Sequence, residues 1–326
     1  MKTCIVGAGA VGGFIGARLA ASGVATSALA RGATLAALRE HGWRLHEGGA
    51  LVQTPVLAAG EAAELGEQDL VVIAVKGPAL ADVARAIAPL LGRETLVLPA
   101  MNGVPWWFAE GASALPGGPL DSVDPGGHVG AAIAYERVLG CVVHASTSTV
   151  APGVVQHRMG NGLIVGEAEG GTSGRAESVV AMLQEAGFNA TLSSRIRYDI
   201  WYKLWGNMTT NPVTAMTGAT ADRLLDDPLA SAFCIAAMRE AGAIGARIGC
   251  AIDETPEDRH NVTRKLGAFK TSMLQDVEAG RPIELDAIVG AVREIGQRVG
   301  VATPNIDALL GLTRLFARSR GLYPND

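Results

Sequence analysis

A glycine-rich turn near residue 7 constrains the fold of this chain more than any other feature. Gly7-Ala8-Gly9-Ala10-Val11-Gly12 follows the apolar run Cys4-Ile5-Val6 and precedes a helix-like stretch, Gly13 to Ala21. In such a strand–turn–helix the first glycine permits the tight turn, the second lets the backbone approach a pyrophosphate, and the third lets helix and strand pack closely. The helix N-terminus adds free N–H groups and a positive dipole end. The motif predicts a dinucleotide site, with a purely structural turn as the alternative.

The residue after the second predicted strand indicates which dinucleotide is bound. A site for NAD usually places Asp or Glu about 20 residues after the glycines, where the carboxylate holds the ribose 2′-OH. Here the second strand, Ala25 to Ala30, is followed by Arg31, and the first acidic residue in the chain is Glu40. A guanidinium can hold a 2′-phosphate through forked, charge-assisted hydrogen bonds. We therefore expect NADP(H) rather than NAD(H), unless Arg31 is an ordinary solvated loop arginine.

The composition excludes several classes of protein. A chain of 326 residues with 48% hydrophobic content is long enough for about two domains. The formal net charge is −5 and no dense basic cluster is present, so nucleic acid is not an expected partner. The four cysteines are scattered without metal-ligand spacing, which predicts a reduced, cytoplasmic protein without a metal site. The longest strongly apolar run, Leu70 to Val75, is too short to span a bilayer, so we expect no membrane insertion.

The first part of the chain alternates predicted strands and helices. Asp69 to Val75 is a continuous apolar run, as expected for a strand buried on both faces of a parallel sheet, and Thr95 to Pro99 is another. Between them, Ala79 to Leu91 carries an apolar helical stripe. This alternation predicts an N-terminal Rossmann-type doubly wound sheet in an α/β fold. Residues 111–130 are rich in Gly and Pro and predict a long loop.

Shorter elements follow that loop, and the pattern then becomes helical. We expect strands at Gly140 to Ser146, Gly153 to Arg158 and Leu163 to Glu167, and a helix at Ala176 to Ala186. From Arg195 onward the apolar periods are helical, which predicts residues 1–194 as the NADP-binding domain and 195–326 as an all-helical substrate domain. Ligands in such folds bind at the carboxyl ends of the strands, in the cleft where the domains are expected to meet.

The first helix of the predicted second domain carries a polar stripe. Lys203, Asn207 and Asn211 are spaced by four and lie along one face of a helix that is otherwise rich in Trp, Leu, Ile and Met. Buried amides and amines need hydrogen-bond partners, and Asn is a poor helix former, so the stripe favours a functional role. The alternative is a solvated stripe with an Asp199–Lys203 ion pair.

Spacing along the chain does not decide the roles of three further polar residues. Asn102 follows the predicted fifth strand and precedes a glycine, so it is equally suited to bind a ligand and to form a turn. Ser272 is expected late in one helix and Glu284 in the first turn of the next. A glutamate in a first turn is commonly only a dipole-favoured residue, so spacing alone does not make Glu284 functional.

Taken together, five segments resemble the ketopantoate reductase (2-dehydropantoate 2-reductase) family. They are GAGAVGG, MNGV, KLWGNMTTNPVTA, KTSMLQDVEAGRPIELDAIVG and GVATPNID, and their order and rough spacing match over nearly the whole chain. The resemblance implies that Lys203 is the proton donor and that Asn207, Asn211 and Ser272 bind substrate. It also implies that Asn102 lies between nicotinamide and substrate, that Glu284 contacts cofactor and substrate hydroxyl, and that Lys76 lines the cofactor site.

The implied reaction is the NADPH-dependent reduction of 2-dehydropantoate to pantoate, a step of pantothenate biosynthesis. The alternatives are a reductase of another branched or bulky 2-oxo acid and a non-catalytic NADP-binding sensor. Two departures from the family pattern concern the substrate pocket: many members carry another Asn near position 221, where this chain has Ala221, and residues 111–130 are longer than in compact members. The sequence leaves the oligomeric state open, with a homodimer as one candidate.

Overall fold

The computed structural model describes residues 1–325, which form two compact units. The first unit comprises Met1–Met101 and Gly127–Asp199, and the second comprises Asn102–Gly126 and the chain from Ile200 onward. The predicted division at residue 194 assigned residues 102–126 to the first domain, whereas their contacts group them with the second unit. The division at residue 194, as a boundary between separately folding domains, stays a prediction.

Ten strands and twelve α-helices lie within residues 1–325. The strands are β1 (Thr3–Val6), β2 (Thr26–Leu29), β3 (Trp43–Glu47), β4 (Ala50–Thr54), β5 (Leu57–Ala59), β6 (Gln68–Ile73), β7 (Leu91–Pro99), β8 (Leu139–Ala151), β9 (Val154–Glu167) and β10 (Asn189–Ser193). The helices are α1 (Ala10–Ala21), α2 (Gly32–His41), α3 (Leu80–Ala86), α4 (His128–Ala132), α5 (Gly174–Glu185), α6 (Ile196–Thr217), α7 (Ala221–Asp226), α8 (Pro228–Arg247), α9 (Pro256–Arg264), α10 (Ser272–Glu278), α11 (Ala291–Arg298) and α12 (Pro304–Ser319).

The first sheet of the first unit is parallel, with strand order β5-β2-β1-β6-β7. The order reverses beside β1, because β2 pairs with one of its edges and β6 with the other. Residues 4–6 of β1 and residues 70–73 of β6 are all buried and apolar, as a sheet covered on both faces requires. The predicted Rossmann-type sheet is confirmed. The predicted helix Ala79 to Leu91 is shorter than expected, since α3 ends at Ala86 and a 3₁₀ turn, Ala88–Leu90, follows.

The second sheet contains β10, β9, β3 and β4 in that order, with β8 paired antiparallel to β9. Helix α1 contacts strands of both sheets, and glycine at position 16 allows this because a Cβ there would lie 2.6 Å from the Trp43 ring. The two strands predicted at Gly153 to Arg158 and Leu163 to Glu167 are wrong as separate elements. They form the single strand β9, because bulges in the β8–β9 ladder and a positive φ at Gly160 carry the pairing through the predicted turn.

The chain from Ile200 to Asn325 is helical and contains no strand, as predicted. Residues 111–126 form turns and short 3₁₀ segments, and the end of the predicted loop forms α4. Within the second unit, α11 holds this segment: Glu294 accepts hydrogen bonds from the backbone N–H of Asp121 and Ser122 at 3.0 and 2.8 Å. Arg298 donates to the carbonyl oxygen of Gly118 at 2.7 Å. Residues 118–122 of the predicted loop are therefore held by α11.

Helix α8 is long and apolar enough, by length and composition alone, to cross a membrane. A single helix of this kind is weak support for a membrane span, because a core helix of a soluble protein has the same character. One face of α8 is buried within the unit, including Cys234, Met238 and Ile244. Its Glu240 carboxylate accepts from the backbone N–H of Asn305 at 2.9 Å and of Ile306 at 3.0 Å, which caps α12.

Candidate active site

The glycine loop after β1 has the geometry that a bound dinucleotide requires. Gly7 has φ +92°, and a Cβ there would lie 2.9 Å from the carbonyl oxygen of Ala74. A Cβ on Gly12 would lie 2.1 Å from the carbonyl oxygen of Gly7, so only glycine lets α1 begin this close to the loop. A Cβ on Gly9, in contrast, would meet no protein atom within 4 Å. Glycine at position 9 therefore leaves open space beside the backbone, whereas Gly7 and Gly12 are required by the fold itself.

The N-terminus of α1 is suited to bind an anion. Gly9 is the N-cap residue, so no side chain caps the helix, and the first turn contains no acidic residue. The first N–H groups of a helix have no intrahelical acceptor, and the helix dipole places positive charge there. A phosphate bound against Gly9 and Ala10 would satisfy these donors. The loop and the helix start thus fit a pyrophosphate.

The pairing of the strands places Arg31 and Lys76 beyond the carboxyl ends of β2 and β6, at the same end of the sheet as the glycine loop. Val6, the last residue of β1, is paired with Leu29 of β2 and with Ile73 of β6. Arg31 lies two residues past Leu29, where it is exposed and precedes α2, and Lys76 lies three residues past Ile73. Within residues 1–325 the Arg31 guanidinium makes no hydrogen bond or ion pair, so it is available to a ligand.

Helix α6 brings Lys203 together with Asn102 in the second unit. The Nζ atom of Lys203 donates a hydrogen bond of 2.8 Å to Asn102 Oδ1, and both residues are half-buried. Asn102 lies three residues beyond the end of β7 rather than at the end of the strand. The Asp199 carboxylate instead accepts a hydrogen bond from the hydroxyl of Ser193. The two residues that the solvated-stripe alternative paired therefore have other partners.

The other polar residues of this stripe are Asn207 and Asn211. Asn207 is half-buried and Asn211 is buried, yet within the described chain, residues 1–325, neither side-chain amide makes a hydrogen bond. Buried amides are nearly always hydrogen-bonded, so these two are suited to a bound ligand.

The opposite face of α6 is packed into the interior, which holds the helix in position. Trp201, Trp205 and Met208 are at most 2% exposed, and Trp205 Nε1 donates to the carbonyl oxygen of Met238 at 2.7 Å.

Ser272 begins helix α10, so its predicted position late in a helix is wrong. Thr271 is the N-cap, and its hydroxyl accepts from the backbone N–H of Leu274 at 3.2 Å. The same hydroxyl lies 2.7 Å from that of Thr214 on α6, one helical turn beyond Asn211. This contact holds the start of α10 against α6. Ser272 itself is exposed and, within residues 1–325, its side chain makes no hydrogen bond.

Glu284 precedes its helix by one residue, so its predicted place in the first turn is also wrong. The segment that carries it, Pro282–Glu284, extends from the turn after α10 to Leu285 and the π-helical turn Asp286–Gly290. Arg281 Nε donates to Asp276 Oδ1 at 2.9 Å, and the Arg281 backbone N–H donates to the Asp276 carbonyl oxygen at 2.8 Å. Both bonds fix the turn from α10 into this segment.

The Asn102 segment contacts this same region of the second unit. The backbone N–H of Val104 donates to the carbonyl oxygen of Ala287 at 2.8 Å. Gly103 has φ +83°, and a Cβ there would lie 2.5 Å from that oxygen, so glycine permits the approach.

The sequence analysis did not predict three residues that hold these segments: Thr271, Asp286 and Tyr323. A Thr-x-x-Leu start was readable as an N-cap at Thr271, whereas no local signal marks the other two.

Two family models match most of the chain. Residues 3–115 match the family model described as ketopantoate reductase PanE/ApbA, and residues 195–317 match the model for the C-terminal part of the same family. The chain belongs to the ketopantoate reductase family. The expected resemblance is thereby confirmed, and the protein is an oxidoreductase of that family.

Relatives and solved structures extend the likeness over the whole length of this family member. A 2-dehydropantoate 2-reductase from Mesorhizobium japonicum is 43% identical over 325 residues, which covers 99% of this chain and 100% of the relative. The crystal structure of a candidate ketopantoate reductase from Ralstonia solanacearum MolK2 is 58% identical with a TM-score of 0.94, covering 99% of both chains. A D-mandelate dehydrogenase solved with NADH and anilino(oxo)acetate shares the fold at 22% identity, with a TM-score of 0.84 over 99% of this chain and 100% of the dehydrogenase.

Proposed function

We propose that this protein catalyses the NADPH-dependent reduction of 2-dehydropantoate to pantoate, with Lys203 as the general acid. The observation that carries the proposal is the polar stripe of α6, in which Lys203 is held by Asn102 while Asn207 and Asn211 lack protein partners within residues 1–325. Membership in the ketopantoate reductase family supports the reaction, and the M. japonicum relative supports the substrate.

The residues of the first unit are assigned to the cofactor. The loop from Gly7 to Gly12 and the start of α1 hold the pyrophosphate, and Arg31 holds the 2′-phosphate that distinguishes NADPH from NADH. Lys76 is assigned to the same cofactor. When bound, NADPH supplies the hydride that reduces the ketone.

The residues of the second unit are assigned to the substrate. Lys203 hydrogen-bonds the ketone oxygen and transfers a proton to it as negative charge develops, a role that contributes roughly 10²–10⁴-fold to a rate. Asn102 accepts a hydrogen bond from Lys203, which keeps the ammonium group oriented. The amides of Asn207 and Asn211 and the hydroxyl of Ser272 donate to the substrate, and Glu284 contacts the substrate hydroxyl and the cofactor.

The experiment that tests this proposal follows NADPH oxidation by absorbance, with 2-dehydropantoate and a small panel of other 2-oxo acids. We expect turnover with 2-dehydropantoate and slower turnover with NADH. Turnover of another 2-oxo acid alone would keep the reaction type and discard the substrate. Tight NADPH binding without turnover of any 2-oxo acid would identify a non-catalytic sensor and contradict the proposal.

One observation favours the second candidate, a reductase of another branched or bulky 2-oxo acid. Position 221, near which many family members carry a substrate-binding Asn, is a fully buried alanine at the start of α7. Its backbone N–H donates to the carbonyl oxygen of Phe269 at 3.0 Å. An alanine cannot supply the amide, so the relative rates across the 2-oxo acid panel decide between the two substrates. A homodimer also stays a prediction, which size-exclusion chromatography with light scattering tests.

A further inference from the structure

Residues that follow α12 return to the segment that carries Glu284. Tyr323 Oη donates a hydrogen bond of 2.5 Å to Asp286 Oδ1, and the backbone N–H of Ile283 donates to the carbonyl oxygen of Leu322 at 3.1 Å. Leu322 and Ile283 are both buried. Glu284 therefore lies between Ile283 and Asp286, and both of these residues are hydrogen-bonded to residues 322–323.

The Tyr323–Asp286 hydrogen bond joins two half-buried groups. Burial raises the pKa of the Asp286 carboxyl, while the bond from Tyr323 and the charge of Arg314 act in the opposite direction. Burial and the bond to Asp286 together raise the pKa of Tyr323 to about 12, so the hydroxyl keeps its proton and remains a donor. A hydrogen bond to a partly desolvated carboxylate is stronger than one at the surface.

Residues 102–104, which follow β7, also contact the segment that carries Glu284. Asp286 opens the π-helical turn Asp286–Gly290, and the next residue, Ala287, accepts the hydrogen bond from Val104. Asn102 precedes Val104 by two residues and accepts from Lys203. A continuous set of contacts thus leads from the Tyr323 hydroxyl, through Asp286 and Ala287, to the amide that holds the proposed general acid.

We propose that Asp286 and Tyr323 are positioning residues of the reductase, which fix residues 283–287 and thereby orient Glu284 and Asn102. This inference rests on the proposed function for its effect on rate. π-Helical turns depart from the regular i→i−4 ladder and are frequent at functional sites, and such a turn needs contacts that specify it. The Tyr323–Asp286 bond supplies one of them.

The test uses Tyr323→Phe, Asp286→Ala and Asp286→Asn in the full chain, with Tyr135→Phe as the matched control. Tyr135 Oη accepts a 2.7 Å hydrogen bond from Arg197 in the first unit, so the control also removes one bonded tyrosine hydroxyl. Each variant is assayed for kcat and KM with NADPH and 2-dehydropantoate, for melting temperature, and for amide hydrogen exchange in residues 283–287 and 102–104.

We expect Tyr323→Phe and Asp286→Ala each to lower kcat by about tenfold, and the double variant to lower it no further, because both remove the same bond. Asp286→Asn keeps an oxygen that accepts from Tyr323 and should retain kcat within about threefold of wild type. Exchange should rise in residues 283–287 and 102–104 of Tyr323→Phe and stay at the wild-type level in Tyr135→Phe.

Wild-type kcat in Tyr323→Phe, additive losses in the double variant, or unchanged exchange in residues 283–287 would each overturn the inference. A lowered melting temperature with unchanged kcat would show that the bond serves stability alone, which also overturns it. If wild type turns over no 2-oxo acid, the proposed function fails, and the exchange measurement still decides whether the Tyr323–Asp286 bond orders the two segments.

Discussion

The ammonium group of Lys203 and the side-chain oxygen of Asn102 are joined by a 2.8 Å hydrogen bond, although the residues are 101 positions apart. A lysine side chain has many rotamers, and a bond at its tip selects among them. Asn102 is itself placed by Gly103 and Val104, whose backbone contacts Ala287. The position of the proposed general acid is therefore set by a loop and a π-helical turn as well as by its own helix.

Replacement of Lys203 by Ala should lower kcat by about 10²-fold or more, because the ketone oxygen loses its proton donor. NADPH affinity, measured by fluorescence titration, should stay near the wild-type value. Lys265→Ala is the matched control, since Lys265 is exposed on the same unit. A Lys203→Ala enzyme with near wild-type kcat would remove this lysine from the mechanism.

Truncation of the side chains that we assign to substrate binding should affect KM more than kcat. Asn207→Ala and Ser272→Ala remove donors that contact substrate in the ground state and transition state alike, so KM should rise while kcat changes less. Glu284→Ala should lower kcat and raise KM, because this residue is assigned to both ligands. Steady-state kinetics with 2-dehydropantoate, with the exposed Asn261→Ala as control, tests the pattern. Equal loss of kcat in all three variants would contradict the division of roles.

Two of the three glycines of the dinucleotide loop, Gly9 and Gly12, should respond differently to a methyl group. Gly9→Ala meets no protein atom, so the melting temperature should change by little while NADPH binding weakens, since the new Cβ occupies the space assigned to the pyrophosphate. Gly12→Ala places a Cβ 2.1 Å from the Gly7 carbonyl oxygen and should destabilise the first unit itself. Thermal unfolding and NADPH titration of both variants separate the effects. Unchanged NADPH affinity in Gly9→Ala would place the phosphates elsewhere.

Arg31→Ala should reduce the preference for NADPH over NADH. The guanidinium is expected to form forked bonds to the 2′-phosphate, and hydrogen bonds to charged groups contribute about 1.5–3 kcal/mol each at most. NADH, which lacks this phosphate, should bind the variant and the wild type equally. Titration of both proteins with both cofactors is the measurement. Equal affinity of wild type for NADPH and NADH would contradict the assignment.

Glu167 should make the first unit less stable in acid. Arg175 donates to both of its carboxylate oxygens, at 2.7 and 2.6 Å, and this pairing lowers the pKa of Glu167 below its ordinary value. A lowered pKa in the folded state contributes stability above the unfolded-state pKa, and that contribution disappears as pH falls through the folded-state pKa. Glu167→Gln should therefore reduce the free energy of unfolding by about 1–3 kcal/mol at pH 7. The difference should vanish well below pH 4.5, the ordinary value of the carboxyl. Urea denaturation of both proteins at the two pH values tests this, and a constant difference would contradict it.

The parts of the fold that the sequence predicted correctly depend on neighbours in the chain. The glycine loop, the strand β6 and the stripe of α6 each follow from residues within one turn or one strand of each other. The start of α10 at Ser272 is decided locally, because the Thr271 hydroxyl accepts from the Leu274 backbone N–H, whereas the contact of that hydroxyl with Thr214, 57 positions away, has no signal in the sequence. Asp286 and Tyr323 are 37 positions apart, and no pattern in either segment indicates that they meet.

The order in which the two units alternate along the chain affects how the protein folds during synthesis. The chain passes from one unit to the other near residues 101, 126 and 199, so neither unit is a single uninterrupted stretch. Trp106, Trp107 and Phe108 are synthesised early, yet Phe108 stacks on Trp201 and residues 118–122 are held by α11. During synthesis Phe108 therefore lacks its partner Trp201 until α6 has been made. Apolar side chains that lack their partners make a nascent chain prone to association, so we expect association with other chains to be most favourable before α6 is synthesised.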